Sequence, residues 1–157
     1  MILNRQRAVR VAQRPLELFL ARMRRELGLA EADLTICFVS DAEIARMNQV
    51  FRKKKGPTDV LSFPAIERRR WATLRRPTSR NMRRIRRDSR TPSFLGDIAI
   101  APSVARRNAK KLGRTLPSEL QILILHGVLH LLGYDHETDR GQMDRLEARL
   151  RRKLGLT

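Results

Sequence analysis

Residues 118 to 136 read SELQILILHGVLHLLGYDH. From Leu120 to Leu132 the apolar face is nearly continuous, which predicts a helix buried in the middle of the fold rather than lying on its surface. Pro117, Ser118 and Glu119 open that helix, and Gly133 closes it. A buried helix needs other elements around it, so the flanking sequence should supply a sheet and further helices.

It does. Upstream, Leu34 to Val39 (LTICFV), Val60 to Pro64 (VLSFP) and Leu95 to Ala101 (LGDIAIA) are short runs rich in β-branched and aromatic residues, and each predicts a strand. The opening ILNRQRAVRV alternates partially and predicts an edge strand. Helices are predicted from Pro15 to Leu27, where Leu16, Phe19, Leu20, Met23 and Leu27 recur at helical steps and Gly28 stops the run. A second follows Ser40 or Asp41 as cap, with Ile44, Met47 and Phe51 on its apolar face. A third runs from Pro102 or Ser103 to Lys111, and a last charged one from about Thr138 to Leu154. The order predicts an α+β fold: a single mixed β-sheet packed with about five helices.

The central helix carries all three histidines of the chain at or near its end: His126, His130 and His136. His126 and His130 are four residues apart, so on a helix they fall about 40° apart on one face, within reach of one ion. A reversal at Gly133 can return His136 to the same point. Three imidazoles leave a fourth position open to water, the pattern of a catalytic rather than a structural zinc site. Read as ordinary histidines, these would put unpaired imidazoles on an apolar helix at a desolvation cost. A zinc site at the end of the buried helix is therefore expected, although nickel, copper or iron suit the same ligands. The spacing approaches the zinc-protease string H-E-x-x-H-x-x-G-x-x-H, but Gly127 stands where that string has its general base.

The 157 residues suffice for one domain spanning 1–157. The formal net charge is +18, from 34 Lys and Arg against 16 Asp and Glu, and an excess of this size attracts polyanions. Half of it lies in residues 67–93, where eleven arginines face only Glu67 and Asp88. That stretch is too poor in apolar residues to form a core and predicts an arginine-rich insertion that contacts nucleic acid, or else a solvated linker. No segment is apolar for long enough to span a membrane, and the N-terminus has no secretory pattern, so a cytoplasmic protein is expected. The one cysteine, Cys37, lies in an apolar strand and is expected to be a small core residue.

Three blocks of this sequence together resemble the YbeY family of rRNA maturation factors: HGVLHLLGYDHE preceded by SELQILIL, NQVFRKKKGPTDVLSFP at 48–64, and LGDIAIA. The resemblance covers most of residues 34–154. It implies a zinc-dependent endoribonuclease specific for single-stranded RNA, acting in rRNA maturation, including 16S 3′-end processing, and in ribosome quality control. It implies one zinc ion on His126, His130 and His136, ribosomal RNA and ribosomal subunits as partners, and Arg52 as the residue that contacts the RNA phosphate or acts in catalysis. A guanidinium fork suits a phosphate, but composition alone would not choose Arg52 over Lys53, Lys54 or Lys55. Thr58 and Asp59 read ambiguously, with a structural role favoured for Asp59, which can cap a turn or hold the loop, and Asp97 admits a structural role likewise. Asp135 is placed to orient a histidine or take a proton, and Glu137 and Asp139 to begin the last helix. Two alternatives stay open: a non-catalytic ribosome-binding assembly factor with a structural metal, and a peptidase or other hydrolase, which Gly127 disfavours.

Overall fold

Leu34, Ile36 and Phe38 alternate with Asp33, Thr35 and Cys37, so one face of their strand is apolar and buried. In the computed structural model, which describes residues 1–65, 94–136 and 138–156, this strand is β2, Asp33–Phe38. It pairs in parallel with β1, Ile2–Asn4, on one side and with β4, Phe94–Ile100, on the other. The outer edge beyond β4 is β3, Val60–Pro64, antiparallel to it. The result is a mixed four-stranded sheet in the order β1-β2-β4-β3.

Among the described residues five α-helices accompany it: α1, Gln13–Leu27; α2, Asp41–Met47; α3, Pro102–Lys111; α4, Leu116–Leu131; and α5, Gln142–Leu154. The α+β architecture and the order of its elements are as the sequence predicts. The arginine-rich insertion expected at 67–93 lies outside the described residues, as does Glu137.

The main core lies between one face of the sheet and α1, α4 and α5. Ile36, Phe38, Ile98 and Ile100 meet Ile124, Leu125, Val128 and Leu129 of α4 there, all eight fully buried. Complete burial of such a side chain contributes about 1.5–3 kcal/mol, which makes α4 the element around which the others assemble. On the other face Leu61 and Ala99 pack with Ile44 of α2.

Local chemistry sets the ends of α4. The Thr115 hydroxyl accepts from the Ser118 amide at 3.3 Å. At the other end Gly133 takes φ 86°, with Gly133 N–H donating to His130 O and Tyr134 N–H to Leu129 O. This paired closure satisfies two carbonyls that the helix leaves open and turns the chain back. The last helix starts later than expected. Residues 138–141 form turns, and the Asp139 carboxylate accepts from the amides of Gln142 and Met143, both at 2.9 Å. Asp139 thus caps the helix from outside it.

The larger departure is at α2. The regular spacing of Ile44, Met47 and Phe51 predicts one continuous helix with Phe51 on its buried face. Instead α2 stops at Met47 and a π-helical turn covers Asn48–Arg52. The wider turn shifts the phase of every later side chain, and Phe51 emerges 64% exposed. Asn48 is buried, and its amide nitrogen donates to Gly56 O at 3.0 Å, holding the following loop against the turn. Lys53 ends the turn in a left-handed conformation, φ 57°, unusual for a residue with a side chain.

Candidate metal centre and its groove

The i, i+4 spacing on α4 brings the rings of His126 and His130 to a centroid separation of 4.7 Å, with their Nε2 atoms 3.1 Å apart. The reversal at Gly133 returns His136 to within 5.4 Å of His126 and 5.3 Å of His130, ring centre to ring centre. One ligand atom from each residue lies within 4.8 Å of the other two. His126 and His130 are half-buried and His136 is exposed, so the cluster is open on the side of His136.

The surroundings hold these imidazoles ready to bind a cation. Burial, reinforced by the neighbouring charges of His126 and His136, lowers the pKa of His130 to about 4, so at neutral pH its ring offers a lone pair. Glu147, on α5 and buried, places Oε2 2.9 Å from His126 Nδ1. Burial would raise the pKa of Glu147, but the hydrogen bond and charge of His126 and the adjacent Arg151 outweigh it and hold the carboxyl below its usual value. An ionised carboxylate only accepts, so His126 donates through Nδ1–H, which turns its Nε2 towards the cluster. The donor set therefore fits a divalent transition metal such as zinc.

Glu147 is a carboxylate that orients His126, a contact that the sequence alone, which offers Asp135 for such a role, does not single out. The backbone carbonyl of Asp135 accepts from the amides of Thr138 and Asp139 and so shapes the turn that carries His136. A signal for Glu147 was present, because it falls on the same helical face as Met143, Leu150 and Leu154, where a lone carboxylate must find a partner.

Gly127 also acquires a physical meaning. A Cβ at this position would come within 2.9 Å of both Cδ1 and Cγ2 of Ile98 and within 3.1 Å of Ser62 Oγ. The Ser62 hydroxyl donates to the Gly127 carbonyl at 3.2 Å. The residue after His126 thus faces the sheet and seats α4 on β3 and β4. A glutamate there would have to displace that packing.

The histidines open into a groove of about 650 Å³ whose other walls come from the π-turn, the loop after it and β3. Phe51, Arg52, Thr58, Asp59, Ser62, Phe63 and Asp135 are among its lining residues. Of the four consecutive cations at 52–55, Arg52 lines this groove together with the histidines. Asp59 holds the local backbone and bridges to a neighbouring helix. Its Oδ1 accepts from the Val60 amide at 2.8 Å and its Oδ2 from the Asn108 side chain at 3.0 Å, tying the groove wall to α3. Cys37 is half-buried, and burial, with Glu43 and Asp97 nearby, raises its thiol pKa against the opposing charge of Arg5. It packs against the smaller apolar cluster as a partly buried side chain rather than a fully buried one.

Comparison with known proteins agrees with this geometry. A family model described as Endoribonuclease YbeY matches residues 2–155. The chain is 39% identical over 156 residues to a protein of Koribacter versatilis named Endoribonuclease YbeY, covering 99% of this chain and 86% of that one. It is 42% identical over 151 residues to a protein of the same name from Solibacter usitatus, covering 96% and 85%. The solution structure of a Thermotoga maritima protein superposes with a TM-score of 0.61 at 25% identity, covering 98% of this chain and 89% of that one. The match spans the sheet, the histidine cluster and the groove alike, and the chain belongs to the YbeY endoribonuclease family.

Proposed function

We propose that this chain is a zinc-dependent endoribonuclease specific for single-stranded RNA. Its substrate is ribosomal RNA, with roles in maturation, including the 16S 3′ end, and in ribosome quality control, in the cytoplasm. His126, His130 and His136 are the metal ligands and Arg52 is the catalytic cation. The observation that carries this reading is that one groove is lined both by three clustered imidazoles and by Arg52.

When bound, a zinc ion supplies Lewis acidity and lowers the pKa of a coordinated water. The chain's own residues do the rest. The Arg52 guanidinium presents a planar fork to the phosphate oxygens and stabilises charge that develops there. Lys53, Lys54 and Lys55 attract the RNA backbone without regard to sequence. Glu147 fixes the ring of His126. Gly127 leaves the position after His126 without the glutamate that serves as base in the zinc-protease string, which favours phosphodiester over peptide chemistry. The arginine-rich insertion at 67–93 adds salt-sensitive affinity for RNA or the ribosomal subunit. Among the described residues no helix is long and apolar enough to cross a membrane.

The test is metal content of the purified protein together with cleavage of single-stranded rRNA, with and without chelator. Near-stoichiometric zinc and chelator-sensitive cleavage, lost in an Arg52→Ala variant that still holds zinc, are expected. Bound zinc with no cleavage by rigorously purified protein would transfer the reading to a ribosome-binding assembly factor with a structural metal. The product ends report the nucleophile, since a 2′,3′-cyclic phosphate marks attack by the RNA's own 2′-OH.

A further inference from the structure

Phe51 is a large apolar side chain that lines the groove and yet is 64% exposed. Its ring stands edge-on to Phe63, with centroids 4.9 Å apart and planes at 71°. Phe63 is half-buried and packs on the cluster formed by Leu61, Ala99 and Ile44. Phe51 is therefore held from one side by a ring that is itself anchored in the fold, while most of its surface meets solvent. The next residue off the same π-turn is Arg52, which lines the same groove, and Lys53, Lys54 and Lys55 follow, all exposed.

An exposed aromatic ring bordered by four successive cations is poorly suited to an apolar protein partner, because docking one would desolvate those charges. It suits a ligand that combines a flat apolar surface with negative charge at a short, fixed distance. A nucleotide has this combination, a π-face joined to a phosphate, and aromatic rings beside basic residues bind single strands through both. We propose that Phe51 is a base-stacking platform, on which the base adjoining the phosphate held by Arg52 lies against the exposed ring.

This inference rests on the ribonuclease reading and gives single-strand preference a physical source. In a duplex both faces of each base are already covered by its neighbours, so the ring has nothing to stack on until a base is splayed out. Phe51 then acts as a specificity-determining residue: it selects bases that are free to leave the stack, whatever their identity, because every base has a π-face.

The test is equilibrium binding of the full-length metal-loaded protein to a short 2′-O-methylated oligouridine, which resists cleavage through the 2′-OH, and to a strand of equal length with every base removed. Phe51→Ala is expected to weaken binding to the base-bearing strand about tenfold or more and to leave binding to the abasic strand unchanged. Phe51→Trp should bind the base-bearing strand at least as tightly as the wild type. Metal content and melting temperature of each variant establish that the fold is intact, as the exposure of Phe51 predicts. If Phe51→Ala binds both strands like the wild type, or loses both equally, the platform is wrong while the ribonuclease reading stands. If the wild type binds neither strand, the ribonuclease reading fails and takes the platform with it.

Discussion

Glu147 Oε2 lies 2.9 Å from His126 Nδ1 although the two residues are 21 positions apart and on different helices. The contact joins α5 to α4 at the histidine cluster and sets which nitrogen of His126 faces the other two rings. Glu147→Gln keeps the shape but removes the charge that fixes this orientation. Metal affinity is expected to fall about 10–100-fold, with the melting temperature of the metal-loaded protein less affected than that of Glu147→Leu, which leaves Arg151 without its acceptor. Competition with a chromogenic chelator measures the first effect and calorimetry the second. Unchanged affinity in Glu147→Gln would refute the orienting role.

The neutral state of His130 has a consequence for the metal-free protein. Its folded pKa of about 4 lies below the ordinary value of 6.5, so the unfolded chain binds the proton more tightly. The stability associated with His130 is then complete above pH 6.5 and is lost as pH falls towards 4. The melting temperature of chelated protein should drop over this window, and His130→Gln should make the drop shallower. Equal slopes for the two proteins would count against it.

Restoring the protease-like glutamate should not create a peptidase. Gly127→Glu drives a side chain towards Ile98 and Ser62, and even Gly127→Ala should destabilise by about 1–3 kcal/mol through overpacking. Urea unfolding measures the cost. A stable Gly127→Glu protein that cleaves peptides would overturn both the packing account and the phosphodiester reading.

Asn48 positions the groove without belonging to the metal cluster. Asn48→Ala removes the hydrogen bond that the buried Asn48 side chain donates to Gly56 O, at a cost of about 0.5–1.5 kcal/mol. The π-turn and loop carrying Arg52 should loosen, lowering kcat for RNA cleavage with metal content unchanged. A variant that loses metal in parallel with activity would show that the turn supports the histidines instead.

The sequence reveals those features whose signal repeats locally. Strand alternation and helical spacing disclose the element order, and the short H-x3-H-x5-H string discloses the cluster because all three members sit beside one reversal. Features made by contact between distant segments are hidden. Glu147 looks like one more charge on a charged helix until α5 is laid against α4. Gly127 reads as an absent base until Ile98 is placed beneath it. The π-turn is hidden for a different reason: Ile44, Met47 and Phe51 keep perfect helical spacing, and only the geometry shows that the phase changes before Phe51.

The antiparallel pairing of β3 with β4 brings Pro64 opposite Gly96 and lets Ala65 N–H donate to Leu95 O at 3.0 Å. The described ends of β3 and β4 on either side of residues 66–93 therefore lie side by side. Between two strand ends held this close, each doubling of the length of a flexible loop costs only about 0.6 kcal/mol. The strands, the groove and the histidines would scarcely register the change. Lengthening this segment or filling it with arginine is thus a change the catalytic body can accept without redesign, and the fold offers here a place where new binding traits can be added or removed as a cassette.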